Sequence, residues 1–231
     1  MKGMKSNLLL ILTLSVQLAW GQTSSPDTAR LPDIYDSRVE LFKIGPASSK
    51  DIVLLGNSIT FWGEWPLLIK NRHFRNQGIP GDTSFGVLKR LDEAVRNKPA
   101  AIFLMIGIND LGRNIPDSLI VRNIGRIVHR IKTSSPRTRI YLQSILPTNP
   151  SFDKLRHLYH KEKNVAFINA RIKELAEREQ LVYIDLHSHF TDQNGHLKAE
   201  YTWDGVHLTL AGYRKWVEVL DKLGYVRAKK P

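Results

Sequence analysis

A chain of 231 residues, 42% hydrophobic and 24% charged, can bury one substantial core and is too balanced in composition for a disordered or fibrous protein. It has no cysteine, which excludes disulfides, thiolate metal sites, a cysteine nucleophile and a lipid-modified cysteine anchor. The formal net charge is +12, but the Lys and Arg residues are scattered through amphipathic segments with acidic residues interleaved, which reads as solvated helix faces and not as a nucleic-acid surface.

At the start of the chain, Lys2 and Lys5 precede an uncharged apolar run over residues 8–20 that ends near the small residues Ala19 and Gly21. This layout predicts a signal peptide over residues 1–21 and export to a periplasm or the cell exterior, with no stable membrane anchor after cleavage. The run is shorter than the ~20 residues a spanning helix needs. Residues 22–48 are rich in Ser, Pro and Asp and predict a linker or packing segment, with one short helix over residues 35–42. A single domain is expected over residues 49–231. In it, short apolar β-branched runs at residues 52–55, 101–106, 140–145 and 181–184 predict strands. Amphipathic stretches at 84–97, 117–133, 155–180 and 210–223 predict helices. Strands that are apolar throughout and separated by helices predict a parallel sheet covered on both faces. Ligands of such sheets bind beyond the carboxyl ends of the strands.

Four polar clusters fall at such places. The first strand runs into Gly56, Asn57 and Ser58 and then into a helix. A serine hydroxyl there stands at a strand end, with its amide at a helix N-terminus that favours a developing anion. A plain N-cap role for Ser58 accounts for the fragment equally well. The surroundings are not Gly-x-Ser-x-Gly, which argues against an α/β-hydrolase elbow. Gly78 and Gly81, ahead of Asp82 and Thr83, describe a tight turn into a helix, where a glycine amide can approach a ligand closely. After the strand at 101–106, Gly107, Asn109 and Asp110 form a turn in which the Asn109 amide could donate to an oxyanion. Asp204 and His207, three apart on a turn, can orient each other so that the imidazole takes a proton from a nucleophile. A serine, oxyanion donors and an oriented base are the parts that ester hydrolysis requires.

In order and spacing these blocks, over about residues 51–213, resemble the SGNH hydrolases, also called GDSL-type esterases and lipases. The resemblance implies a flavodoxin-like three-layer α/β/α sandwich with a mostly parallel sheet, no cofactor and no metal. Position by position, it implies Ser58 as nucleophile, Asp204 and His207 as its triad partners, and an oxyanion hole of Ser58, Gly81 and Asn109. Asn57 departs from the aspartate of the family's first block, so an altered local hydrogen bond is expected, with the nucleophile retained. The Gly-Asn-Ser-Ile-Thr wording of that block further resembles an exported subgroup that includes carbohydrate O-acetylesterases. The implied partner is a small-molecule or glycan ester and not a nucleic acid. A lipase, lysophospholipase or thioesterase of the same family, or an inactive glycan-binding protein on its scaffold, are the alternatives.

Two features remain open. His187 and His189, beside Asp185 with His196 beyond, admit a metal site that activates water, though a pair set on one side of a strand end is more often surface structure. Trp62, Trp65 and Trp203 lie near Ser58 or Asp204 in sequence and fit either an acyl or sugar pocket or core packing.

Overall fold

In the computed structural model, which describes residues 28–226, five strands form one sheet in which every pairing is parallel. They are β1 (Ile52–Gly56), β2 (Phe74–Gly78), β3 (Ala101–Met105), β4 (Arg139–Gln143) and β5 (Val182–Ile184), in the order β2-β1-β3-β4-β5. That is the flavodoxin-like order, and its switch point lies between β1 and β3. The expected signal peptide lies outside the described residues.

The helices follow from apolar spacing. In α7 (Asp117–Ser134), Ile120, Ile124, Ile127, Val128 and Ile131 form a stripe at helical period and are all buried. Each such side chain contributes about 1.5–3 kcal/mol relative to leaving it in water. In α8 (Glu162–Arg178), Val165, Ile168, Ile172 and Leu175 do the same. The stretch at 84–97 divides into α4 (Ser84–Lys89) and α5 (Leu91–Val95), and these pack with α7 and α8 as one layer. On the other side, α10 (Leu210–Lys222) packs on α3 (Trp65–Ile69), joined by the edge-on contacts of Trp65 with Tyr213 and Trp216. A further helix, α1 (Tyr35–Ile44), packs on α5, and its Tyr35 hydroxyl donates to Gly86 O at 2.6 Å. Among the described residues no helix is long and apolar enough to cross a membrane.

Three local expectations change. β2 is not among the expected strands; its sequence Phe-Arg-Asn-Gln-Gly is half-exposed through the middle, because an edge strand need not be apolar throughout. The helix expected from residue 155 starts at Glu162, after a 3₁₀ turn over Arg156–Leu158 and a left-handed His160 at φ 58°. The break between α4 and α5 falls at Arg90, whose guanidinium turns into the interior.

Candidate active site

Gly56 closes β1, Asn57 follows, and α2 (Ser58–Phe61) begins. Asn57 Oδ1 accepts from the Ile59 amide at 3.0 Å, so Asn57 caps the helix and the N-cap reading of Ser58 is corrected. A cap needs only an acceptor oxygen, which asparagine supplies without charge. Ser58 is thereby released from local duty, and its Oγ lies 2.9 Å from His207 Nε2. As the first residue of α2, Ser58 has an amide with no partner within the helix.

The imidazole is held by its own turn. Asp204 Oδ1 accepts from the amides of Val206 at 2.9 Å and His207 at 2.7 Å, which leaves Oδ2 facing His207 Nδ1 at 2.5 Å. Donation from Nδ1 to that carboxylate turns the lone pair of Nε2 toward Ser58, which sets His207 up as an acceptor. The turn is closed by the Thr202 hydroxyl, which donates to His207 O at 2.7 Å, and braced from outside by the Tyr159 hydroxyl, which donates to Asp204 O at 2.6 Å. Gly205 has φ +87°, and a Cβ there would lie 2.3 Å from Asn149 O, so glycine is required twice over.

Across from the imidazole, Gly81 follows β2 at φ +76°, and Asn109 sits in the first turn of α6 (Ile108–Gly112) after β3. Asn109 Nδ2 donates one hydrogen to Asp82 O at 2.9 Å; its second hydrogen is available to a ligand. Two buried acids, one after each of these residues, lock the arrangement. Asp82 Oδ2 accepts from Arg90 Nε at 2.9 Å, and Arg90 Nη2 donates to Gly56 O at 3.0 Å. One guanidinium thus ties the end of β1 to the Gly81 turn. Asp110 accepts from the Ser84 amide at 3.0 Å and from Ser84 Oγ at 2.6 Å, while Asn123 Nδ2 donates to Ser84 Oγ at 2.9 Å. Burial pushes the Asp110 carboxyl up to about 6, against hydrogen bonds from Ser84. Burial also raises Asp82, against the pull of the Arg90 guanidinium.

Of the five expected residues, Ser58, Gly81 and Asn109 follow strand ends, whereas Asp204 and His207 lie not at a strand end but on the turn before α10; Ser58, Asp204 and His207 form one continuous hydrogen-bonded series, and Gly81 and Asn109 both touch the Asp82 turn. Asp82, Arg90, Ser84, Asp110 and Asn123 escaped sequence reasoning. One signal was present: Arg90 falls on the apolar stripe of Val87, Leu91 and Ala94, where a charge must find a buried partner.

Two hollows open at the surface around this centre. A groove of about 440 Å³ is lined by Trp62, Glu64, Leu68, Trp203, Leu210 and Tyr213, among others. A cleft of about 490 Å³ is lined by Gly81, Arg113, Arg30, Asp33 and His157, among others. Trp65 belongs to the core, fully buried with Nε1 donating to Thr60 O at 2.9 Å, whereas Trp62 and Trp203 line the groove. His187 and His189 lie not on a strand end but in a one-turn helix, α9 (His187–Phe190), where residues two apart point to different sides. His187 Nδ1 meets Thr191 Oγ1 at 3.2 Å, and burial lowers its pKa. Among the described residues no three His, Asp or Glu side chains converge to hold a metal.

Known proteins resemble this chain over the same span. Residues 54–215 match the GDSL-like lipase/acylhydrolase family. Platelet-activating factor acetylhydrolase IB subunit alpha2 of Homo sapiens is 28% identical over 180 residues, 75% of each chain. A solved structure from Streptococcus pneumonia, described as a candidate platelet activating factor, is 30% identical at TM-score 0.75, covering 82% of this chain and 90% of that one. A GDSL-like lipase from Bacteroides thetaiotaomicron is 25% identical at TM-score 0.70, covering 82% of this chain and 96% of that one.

Proposed function

As a member of the GDSL-like lipase/acylhydrolase family this chain is a carboxylic ester hydrolase, and we propose that it removes short acyl groups, acetyl foremost, from carbohydrate alcohols with Ser58 as nucleophile. The observation that carries this reading is the continuous series Asp204 Oδ2, His207 Nδ1, His207 Nε2 and Ser58 Oγ. His207 takes the Ser58 proton as Oγ attacks the ester carbonyl carbon. The oxygen that gains charge is met by the Ser58 and Gly81 amides and the free hydrogen of Asn109 Nδ2. Collapse expels the alcohol, to which His207 returns the proton, and leaves an acyl-serine. A water, deprotonated by His207, then releases the acid. The acetylhydrolase name of the human relative supports a short acyl group, and the Gly-Asn-Ser-Ile-Thr wording of the nucleophile block supports a sugar alcohol. Export belongs to the same reading, supported by Lys2, Lys5 and the apolar run that follows; N-terminal sequencing of the exported protein is expected to begin close to Gly21.

The test is a panel of p-nitrophenyl esters from acetate to palmitate beside an O-acetylated sugar, run on wild type and Ser58→Ala. Acetate and the sugar ester should be turned over fastest, and Ser58→Ala should lower kcat by about 10⁴-fold or more. A preference for palmitate would shift the reading to a lipase. Failure of a fluorophosphonate to label Ser58, with no ester turned over, would sink the nucleophile assignment and favour a glycan-binding scaffold.

A further inference from the structure

Trp62 and Trp203 are 53% and 50% exposed, while Trp65 and Trp216 are fully buried. Each half-exposed indole meets one neighbouring ring. Trp203 stacks on the His207 ring at 5.4 Å with 21° between planes, and Trp62, the C-cap that follows α2, is met edge-on by Phe61 at 4.9 Å. Both line the same groove, which therefore opens beside the proposed base, at the far end of the helix that Ser58 starts. Glu64 lies in its wall, and among the described residues that carboxylate pairs with no cation.

We propose that this groove is the subsite for the alcohol half of the ester and that its occupant is an uncharged pyranose ring, with Trp62, Glu64 and Trp203 setting specificity. The assignment rests on the reading of the chain as a hydrolase of acyl esters on sugars. An indole face covers the C–H face of a sugar ring by dispersion while the hydroxyls around the ring edge stay in water. Half-exposed indoles suit such a half-polar ligand. A long acyl chain laid in the same open groove would keep much of its surface wet and forgo most of the gain from leaving water. Glu64 separates the two occupants further. Its oxygens are acceptors for sugar hydroxyls, whereas beside hydrocarbon they would be an unpaired charge against an apolar wall. The same charge disfavours an alcohol that carries a carboxylate or phosphate, which is why the ring is uncharged.

The experiment compares kcat/KM for a mono-O-acetylated methyl pyranoside, the matching uronic acid glycoside acetylated at the same hydroxyl, p-nitrophenyl acetate and p-nitrophenyl octanoate. Trp62→Ala should lose about tenfold on the acetylated pyranoside, mainly through KM, and less on p-nitrophenyl acetate, as expected for one lost stacking partner. Trp62→Phe should restore most of that loss. Glu64→Gln should raise the uronate rate relative to the pyranoside. Selective loss on octanoate would make the groove an acyl site, and equal loss on all substrates would make Trp62 merely structural; either overturns the proposal. So would a wild-type preference for the uronate, or an unchanged ratio in Glu64→Gln. The parent reading is tested separately by Ser58-dependent turnover of p-nitrophenyl acetate. Should wild type turn over no ester, titration of Ser58→Ala with the unacetylated methyl pyranoside still reads the groove through tryptophan fluorescence. A saturable change lost on adding Trp62→Ala upholds the subsite, and no change overturns it.

Discussion

Asp204 and His207 sit three residues apart on one turn, whereas Gly81 and Asn109, across the site, come from the ends of different strands. The turn is held mostly from within: amides of residues 206 and 207 and the hydroxyl of Thr202 point the imidazole, and the Tyr159 hydroxyl adds one brace from outside. The opposite side is held by Asp82 with Arg90 and by Asp110 with Ser84 and Asn123, all buried and brought together from α4, α6, α7 and the break between α4 and α5. A local frame depends on little beyond its own backbone. A frame of buried charges depends on the whole layer of helices, so damage to it reaches stability and chemistry together.

The sharpest way to test that contrast is Asp204→Asn. The asparagine oxygen can still accept from the Val206 and His207 amides, but its NH₂ would face Nδ1 and force the wrong tautomer on the ring. We expect kcat on p-nitrophenyl acetate to fall about 10⁴-fold, with the melting temperature nearly unchanged. A large loss of melting temperature would show that the turn is not self-sufficient. Arg90→Met should behave in the opposite sense, leaving the buried Asp82 carboxyl without its guanidinium partner. Urea denaturation should report a loss of about 3–5 kcal/mol. Arg90→Lys should recover only part of it, because one ammonium cannot reproduce the fork that spans Asp82 and Gly56. If Arg90→Met unfolds no more easily than wild type, the buried pair is not what holds the oxyanion side. Asn109→Ala lies between these. It removes a proposed oxyanion donor and the bond to Asp82 O, so kcat should fall about 10²- to 10³-fold. The accompanying loss of stability should be about 1 kcal/mol. Turnover close to wild type would remove Asn109 from the site.

The same contrast governs how much was legible in the sequence. β1 and β3 announce themselves because a strand buried on both faces must be apolar throughout. β2, at the sheet edge, carries Arg75, Asn76 and Gln77 and obeys no such rule. The roles proposed for Ser58, Asp204 and His207 could be read because ester hydrolysis calls for those residue types, although only Ser58 stands at a strand end. Their supporting residues could not: nothing in a list of residues joins Asp82 to Arg90, or Asp110 to Asn123 across thirteen positions and two helices. Arg90 was hidden further because an arginine within an amphipathic segment is ordinarily solvated. His187 and His189 misled for a related reason, since a short polar stretch after a strand fits a strand end or a single helical turn equally well in sequence.

The last expected effect probes the buried frame by pH and leaves the rate aside. Asp110 is pushed up from 3.8 to about 6, first by burial, against hydrogen bonds from Ser84. Between those two values the folded chain holds a proton that the unfolded chain has lost. Stability contributed at Asp110 is therefore fullest below pH ~4, declines as pH rises through about 6, and is level above that. The full swing is on the order of 2–3 kcal/mol. Exposed carboxylates titrate in the opposite sense, as Asp153 and Glu218 do with their cationic partners, so the useful quantity is a difference between proteins. Unfolding free energies of wild type and Asp110→Asn, measured from pH 4 to pH 7, should move in favour of the variant across that window and then run parallel. Parallel lines from the start would mean that Asp110 is ionised throughout, and that Ser84 and the amide it caps outweigh the burial of the charge.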